Sequence, residues 1–231
     1  MVGISHFPNT TIGKKVIMAL TGLIWIGFVA GHMFGNLKIF LGEEHFNHYA
    51  HGLRTLGEPL LAYGQALWIA RIVVIVALVA HIWSAISLTL LNKQARSSGY
   101  VQHRKLNANA AQMTMIFGGI ALVLFILFHL MHFTLGAVVH PSFNPDNPYY
   151  NVVVGFQSYG YILVVVYLLA LIALALHLYH GMWSVFQTLG LNNKTYTDAL
   201  RILAWLVAIF IPLGFALVPL SVVFGIVGLE G

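Results

Sequence analysis

Long apolar stretches alternate with short polar segments along the whole chain. A helix needs about 20 predominantly apolar residues to cross the hydrocarbon core of a bilayer. Five windows meet that requirement, at roughly residues 15–40, 66–91, 111–139, 160–190 and 202–228. The pattern predicts an all-α integral membrane protein whose residues 1–231 form one domain of five transmembrane helices, with a four-helix bundle and a fifth, peripheral helix.

The composition indicates that lipid is the surrounding solvent. Hydrophobic residues make up 59% of the 231 residues and charged residues only 7%, whereas a soluble domain carries about 25% charged residues. The formal net charge is +5, but the basic residues lie in the segments between apolar runs, so membrane topology explains them better than nucleic acid does. The absence of cysteine excludes disulfides, thiolate metal sites and iron–sulfur clusters held by this chain.

The basic residues also predict the orientation, because cytoplasmic loops carry an excess of lysine and arginine. Eight of them lie on the side of the N-terminus and three on the opposite side: Lys14, Lys15, Lys93, Arg96, Arg104, Lys105, Lys194 and Arg201 against Lys38, Arg54 and Arg71. We therefore expect a multi-pass protein of a cytoplasmic membrane of the bacterial inner-membrane type. Its N-terminus is predicted in the cytoplasm and its C-terminus outside.

Two segments on the predicted outer side are long. Residues 41–65 hold His45, His48 and His51 at a spacing of three residues. That spacing favours an amphipathic surface helix, although imidazoles on one helix face can also bind a metal ion. Residues 140–158 are rich in proline and asparagine, and they are expected to form an irregular cap.

Six histidines fall inside the apolar windows: His32, His81, His129, His132, His177 and His180. Polar side chains at that depth are costly, and they usually face the interior of a helix bundle, where they have a function. Any single one could be a neutral histidine that only packs and hydrogen-bonds across helices. The first four windows each contain at least one, however, and the fifth contains none, so the set indicates a shared site in the four-helix bundle.

The depths of four histidines sort them into two pairs. His32 and His129 lie about 25 Å and about 27 Å into windows that run outward, and we call them the outer pair. His81 lies about 18 Å from Lys93, the first basic residue after its window, and His177 lies about 20 Å from the inner end of the fourth window. We call these two histidines the inner pair. Two stacked b-type haems require such pairs, because each iron takes two axial imidazoles from different helices.

Glycines recur near these histidines, and a flat macrocycle between helices requires the backbones to come close. Ordinary small-residue packing between helices explains them equally well. The residues concerned are Gly31, Gly35, Gly118, Gly119 and Gly181.

The sequences around four of the histidines resemble a known family. GHMFGN contains His32, AHIWSAISL contains His81, FILFHLMHFTLG contains His129 and ALHLYHGMWSVFQTLGLNN contains His177. Together they are similar to the single-chain cytochrome b membrane anchor subunit of succinate dehydrogenases and fumarate reductases (succinate:quinone oxidoreductase, complex II), in its five-helix, di-haem class. The resemblance covers nearly the whole chain, and HxxHGxxSxFQTLG is its most specific part.

The resemblance implies an electron-transfer subunit of a respiratory-chain enzyme of the tricarboxylic acid cycle, which holds two b-type haems and exchanges electrons with quinone. By analogy, menaquinone fits the two-haem class better than ubiquinone. The implied partners are a flavoprotein subunit with FAD and an iron–sulfur subunit, since this chain has neither a dinucleotide-binding fold nor cysteine. A higher oligomer of the complex is compatible with the resemblance.

The resemblance also implies the haem ligands. His32 and His129 would bind the outer haem iron, and His81 and His177 the inner one. His132 and His180 lie three residues after their neighbours, on nearly the same helix face. They remain alternative ligands, propionate partners or quinone contacts.

One precedent in the family is an acid at the outer end of the second helix that takes part in quinone-linked proton transfer. Glu58, in LGEPLL, is the candidate for that catalytic role. An acid at a helix entry before Pro59 is the plain alternative. Basic residues at the membrane edge could pair with haem propionates, although topology explains most of them better: Arg54, Arg71, Arg104 and Lys105.

Two other classes of membrane protein remain as alternatives. The cytochrome b subunit of a formate dehydrogenase or a hydrogenase also uses bis-histidine haems, and it differs in its partner subunit. A proton transporter with a histidine relay would need interrupted spans and usually acids in the membrane. The first four windows contain no Pro, Asp or Glu, which disfavours a transporter.

Overall fold

The computed structural model describes residues 4–95, 107–137 and 143–229. Within those ranges the regular structure is helical and contains no strand. Seven α-helices follow one another: α1 (Thr11–Leu37), α2 (Glu43–Gly52), α3 (Gln65–Gln94), α4 (Asn107–Phe133), α5 (Pro148–Gln157), α6 (Ile162–Thr188) and α7 (Thr197–Val223). The helices α1, α3, α4, α6 and α7 provide five candidate membrane spans. The protein is therefore an all-α integral membrane protein, as predicted.

The five long helices correspond one to one with the predicted windows, and their ends differ by a few residues. α1 begins at Thr11 because Oγ1 of Thr10 accepts a hydrogen bond of 2.9 Å from the Gly13 amide and so caps the helix. α4 ends at Phe133, short of the predicted residue 139, and Gly136 with a φ of 62° follows it. A left-handed glycine just after a helix is a common way to end it.

The helices α1 and α6 lie at the centre of the bundle, and each packs on three other long helices. α3 packs along α1, α4 packs along α6, and α7 packs against both α6 and α1. The fifth span, α7, carries no histidine, and it buries Ala204 and Ala208 where it packs on α6 and α1. Small residues permit this approach: a Cβ atom at Gly214 of α7 would overlap the sulfur of Met33 in α1.

Two short helices, α2 and α5, pack on each other at one end of the bundle, and we call them the outer cap. α2 confirms the surface helix predicted within residues 41–65. Phe46 is its buried residue, and its three histidines are exposed: His45, His48 and His51.

The helix α5 corrects the expectation of irregular structure for the described part of residues 140–158, since residues 140–142 lie outside the described residues. Pro148 occupies the first helical position, and Oδ1 of Asn147 accepts a hydrogen bond of 2.9 Å from the Tyr150 amide. An asparagine cap followed by proline is a strong helix start. Pro148 therefore marks the beginning of a helix, and Pro145 lies in the turn before it.

Polar side chains join the two helices of the outer cap. Nδ2 of Asn147 donates to Oε1 of Glu43 over 2.7 Å, and Nδ2 of Asn47 donates to Oδ1 of Asn147 over 2.9 Å. The Tyr149 amide donates to Oδ1 of Asn47 over 3.0 Å. Because α5 also packs on α4 and α7, the outer cap is fixed to the bundle at the end where α1 and α4 finish.

Basic side chains at both ends of the bundle lie over aromatic rings. Such pairs suit a membrane interface, where the ring and the aliphatic stem stay apolar while the charge reaches water. The distances to the ring centres are 5.7 Å for Lys14 on Trp83, 5.0 Å for Arg201 on Trp183, 5.0 Å for Lys38 on Phe34 and 4.9 Å for Arg71 on Trp68. Arg96, Arg104 and Lys105 lie outside the described residues.

Candidate functional site: two histidine pairs in the bundle

The structure brings the four candidate ligands together as two pairs. The ring centroids of His32 in α1 and His129 in α4 are 5.9 Å apart, with the ring planes inclined by 79°. The ring centroids of His81 in α3 and His177 in α6 are 6.3 Å apart, with the planes inclined by 60°. These are the combinations predicted from depth and from the resemblance. Each pair joins two helices that otherwise pack little on each other.

The spacing within each pair suits one metal ion held between two imidazoles. A metal–imidazole bond is about 2 Å long and the ring centre lies about 1 Å behind the nitrogen, so two imidazoles on opposite sides of one ion have centroids about 6 Å apart. The observed centroid distances are 5.9 Å and 6.3 Å. The side chains therefore fit bis-imidazole ligation of a haem iron.

The two pairs occupy separate layers of the bundle. In α1, Gly22 lies against His81, since a Cβ there would be 3.5 Å from Cε1 of its ring, and His32 follows ten residues later. In α4, Gly119 lies against His177 and precedes His129 by ten residues. Ten helical residues span about 15 Å, so both helices give the same separation of the layers.

The contacts of His81 determine which of its nitrogens carries the proton. Its Nδ1 lies 3.2 Å from the Met18 carbonyl oxygen and 3.2 Å from Oγ1 of Thr21. The carbonyl can only accept, so Nδ1 must donate, and Oγ1 of Thr21 already donates to the Ile17 carbonyl over 2.7 Å. The lone pair of His81 is therefore on Nε2, the state in which a histidine can coordinate a metal through that atom.

Packing alone does not explain His177. Its Nδ1 is enclosed and has no hydrogen-bond partner among the described residues. A buried polar atom without a partner costs free energy, so a histidine that served only as core filling would be a poor choice here. The environment of this atom is therefore not accounted for by the contacts of the described residues.

Aromatic side chains surround the outer pair. The ring of Phe28 stacks on His32 with a centroid distance of 5.5 Å, and Phe215 of α7 lies 5.6 Å from His32. Phe125 lies 5.8 Å from His129. The fifth span thus contributes to the site through Phe215, a role that the histidine pattern did not indicate.

The alternative ligands occupy different surroundings. His132 is 1% exposed, and its ring stacks on Phe133 at a centroid distance of 3.8 Å. Nδ1 of His180 donates to the Leu176 carbonyl of its own helix over 2.9 Å. His129 and His177 are the imidazoles that face the opposite histidines, and their selection as ligands stays a prediction.

A tyrosine connects the two histidines of α4. The hydroxyl of Tyr167 in α6 lies 3.1 Å from Nδ1 of His129 and 2.9 Å from Nδ1 of His132. Sequence reasoning missed Tyr167, because a tyrosine within an apolar run is typical of ordinary packing. Its position ten residues before His177 places it in the layer of the outer pair, and that spacing was the available signal.

The structure places Glu58 in the exposed loop between α2 and α3. α3 begins at Gln65 with Gly64 as its N-cap, so Glu58 is not an acid of the helix entry, which corrects the plain alternative. Arg54 holds this loop to the outer cap, since its Nη2 donates to the Pro145 carbonyl over 3.1 Å. Within the described part of the chain, no contact joins Glu58 to either histidine pair, and its role in proton transfer stays a prediction.

The glycines near the histidines fall into three groups. Gly22, which the sequence had not singled out, and Gly119 lie against the imidazoles of the inner pair. Gly35 instead receives Tyr49 of α2, because a Cβ there would lie 2.8 Å from the tyrosine oxygen. A Cβ at Gly31 or Gly181 would meet no described atom within 4 Å, so neither glycine is explained by close packing.

No group of three or more metal-ligating side chains occurs among the described residues, the histidines of α2 included. A metal ion bound by protein side chains alone usually needs three or more ligands, whereas a haem iron needs only two imidazoles from the protein.

Comparisons with protein-family models, curated proteins and solved structures find no match to this chain.

Proposed function

We propose that this chain is the di-haem cytochrome b membrane anchor of a succinate:quinone oxidoreductase. It would be the electron-transfer and quinone-binding subunit of a succinate dehydrogenase or fumarate reductase. One observation carries the proposal: two histidine pairs, with centroid distances of 5.9 Å and 6.3 Å, join different helices in two layers of an apolar bundle. The resemblance of the sequences around these histidines supports the choice of enzyme.

When bound between two imidazoles, each b-type haem would supply reversible one-electron transfer. His32 and His129 would hold one haem, and His81 and His177 the other. His81 keeps its proton at Nδ1 and presents Nε2, and Phe28, Phe125 and Phe215 lie beside the outer pair. The chain orients the ligands and sets their electrostatic surroundings.

The rest of the enzyme would lie in partner subunits. The chain has no cysteine for an iron–sulfur cluster and, in its described part, no strand for a dinucleotide-binding fold. FAD and the iron–sulfur clusters would therefore belong to a flavoprotein and an iron–sulfur subunit. Menaquinone is the proposed quinone, with the exposed Glu58 as the residue of quinone-linked proton transfer.

The continuity of the histidine-bearing helices disfavours the transporter alternative. The helices α1, α3, α4 and α6 run unbroken for 27, 30, 27 and 27 residues. Transporters usually build their substrate sites from interrupted spans. A cytochrome b of a formate dehydrogenase or hydrogenase shares the continuous helices, so the electron donor must distinguish it.

A pyridine haemochrome assay on the purified chain, with haem counted per polypeptide, tests the haem part of the proposal. We expect two b-type haems per chain. A double variant, His81→Ala with His129→Ala, removes one imidazole from each pair and serves as the control that should bind none. A folded parent chain without haem would refute the proposal.

The electron donor tests the enzyme part. In the complex purified with its partner subunits, succinate should reduce the haems, and quinone should reoxidise them. Formate or hydrogen in place of succinate would assign the chain to the alternative class of cytochrome b.

A further inference from the structure

Tyr167 lies between His129, which is paired with His32, and His132, which belongs to neither pair. Its hydroxyl contacts Nδ1 of His129 over 3.1 Å and Nδ1 of His132 over 2.9 Å. Tyr167 is 7% exposed and His132 1% exposed. A buried triad of this kind needs consistent donors and acceptors, because an unmatched group would be costly.

The donors and acceptors can be ordered in one consistent way if His129 uses Nε2 as the ligand. Nδ1 of His129 then carries the proton and donates to the Tyr167 oxygen. The single hydroxyl proton of Tyr167 is left to donate to Nδ1 of His132, which must hold a lone pair. His132 therefore carries its own proton on Nε2.

We propose that Tyr167 and His132 are positioning residues for the outer haem, in that they fix the ring plane of His129 and strengthen its electron donation to the iron. This inference rests on the proposed function and names a control of its outer redox centre. His132 thereby receives a role other than that of an alternative ligand.

The packing around the triad holds it in one arrangement. The ring of Tyr167 makes edge contacts with Phe125 and Phe156, each at a centroid distance of 4.9 Å. A Cβ at Gly155 of α5 would lie 2.8 Å from Nε2 of His132. Glycine at this position therefore allows α5 to pack directly against His132. The tyrosine has little freedom to leave His129.

The two pairs consequently differ in what accepts the ligand N–H group. His81 of the inner pair donates to a backbone carbonyl, that of Met18, whereas His129 donates to a tyrosine hydroxyl. A hydrogen bond from the ligand raises its basicity and stabilises the ferric state. Donation by the hydroxyl to His132 makes the tyrosine oxygen a stronger acceptor.

The test is a redox titration of the haem-loaded protein, followed by visible and EPR spectra, for Tyr167→Phe, His132→Leu and His132→Gln. The substitution Tyr179→Phe makes the same chemical change elsewhere in α6 and is the matched control. The variants His32→Ala and His81→Ala assign the two redox transitions to the outer and inner haems.

We expect Tyr167→Phe to keep both haems and to raise the midpoint potential of the outer haem alone. A tenfold change in the ratio of ferrous to ferric haem at fixed potential corresponds to about 59 mV for this one-electron couple. His132→Leu should give a smaller rise, and His132→Gln, which keeps an acceptor for the hydroxyl, should restore the parent value. Tyr179→Phe should leave both potentials unchanged.

Two results would overturn the inference while leaving the proposed function intact. One is an unchanged outer potential in both Tyr167→Phe and His132→Leu. The other is loss of the outer haem in His132→Leu combined with its retention in His129→Leu, which would make His132 the ligand. Absence of haem from the folded parent chain would reject the proposed function, and this result is seen before any variant is made.

Discussion

Single substitutions of the four paired histidines should affect the two proposed haem sites separately. His32 and His129 share one layer, and His81 and His177 share another about 15 Å away along the helices. We expect His32→Ala or His129→Ala to remove mainly the outer haem and leave about one haem per chain, because a bis-histidine iron loses one axial bond. His81→Ala or His177→Ala should remove mainly the inner haem. Haem content and redox titration measure both outcomes.

The matched control for this set is His180→Ala. His180 hydrogen-bonds to the carbonyl of its own helix, so the variant should retain both haems. Equal loss of both haems in all four ligand variants, with the helical circular dichroism preserved, would contradict the pairing.

Single residues also show where sequence reasoning ends. Four intramembrane histidines could be paired from their depths alone, because helical rise converts sequence position into depth. Tyr167 could not be recognised as their neighbour, because its significance depends on the rotation of α6 relative to α4. The contact of Gly35 with Tyr49 was likewise hidden, because it depends on how α2 folds back on α1.

At the scale of elements, the outer cap provides a test of how α5 is held. Asn147 both caps α5 and donates to Glu43 of α2. Asn147→Ala should lose both interactions, together with the hydrogen bond from Asn47, and should destabilise the protein by about 1–2 kcal/mol, the usual cost of a lost helix cap. Asn147→Ser keeps a neutral capping oxygen but lacks the amide group that donates to Glu43, so we expect a smaller effect.

Hydrogen exchange of residues 148–157, together with thermal unfolding in detergent, separates these outcomes. Faster exchange of α5 in the alanine variant than in the serine variant would support the cap. Identical exchange in both variants would show that the contact with Glu43 dominates.

The elements were predictable to the extent that their signal is local. The five spans follow from apolar length, and the surface helix α2 follows from the spacing of its histidines. The start of α5 carried a local signal too, since asparagine before proline is a typical helix beginning, but the density of prolines was interpreted as irregular structure. The packing of α7 against α1 needed the contact of Gly214 with Met33, which joins residues far apart in the chain.

At the scale of the whole molecule, some pairs of helices in the bundle pack along each other, and other pairs come together mainly through a histidine pair. α3 lies along α1, α6 lies along α7, and the inner pair connects α3 to α6. A ligand bound only by the folded protein stabilises it by about 4 kcal/mol at a thousandfold excess over its dissociation constant. We therefore expect protein produced without haem to unfold at a lower temperature and α3 to become sensitive to protease.

The variant His81→Ala is the control for this prediction. Because it lacks one imidazole of the inner pair, haem supply should protect its α3 much less than that of the parent chain. Equal protection of α3 in both proteins would mean that the inner pair does not join these helices through a bound group.

The hydrogen bonds of His81 have a consequence for the order of biosynthesis. Met18 and Thr21, which orient its ring, both precede it in the chain, whereas His177 is translated 96 residues later. Formation of the α1–α3 hairpin is therefore sufficient to fix the donor and acceptor nitrogens of His81. The first half of the nascent chain can carry an oriented imidazole before the ribosome has made the residue that faces it.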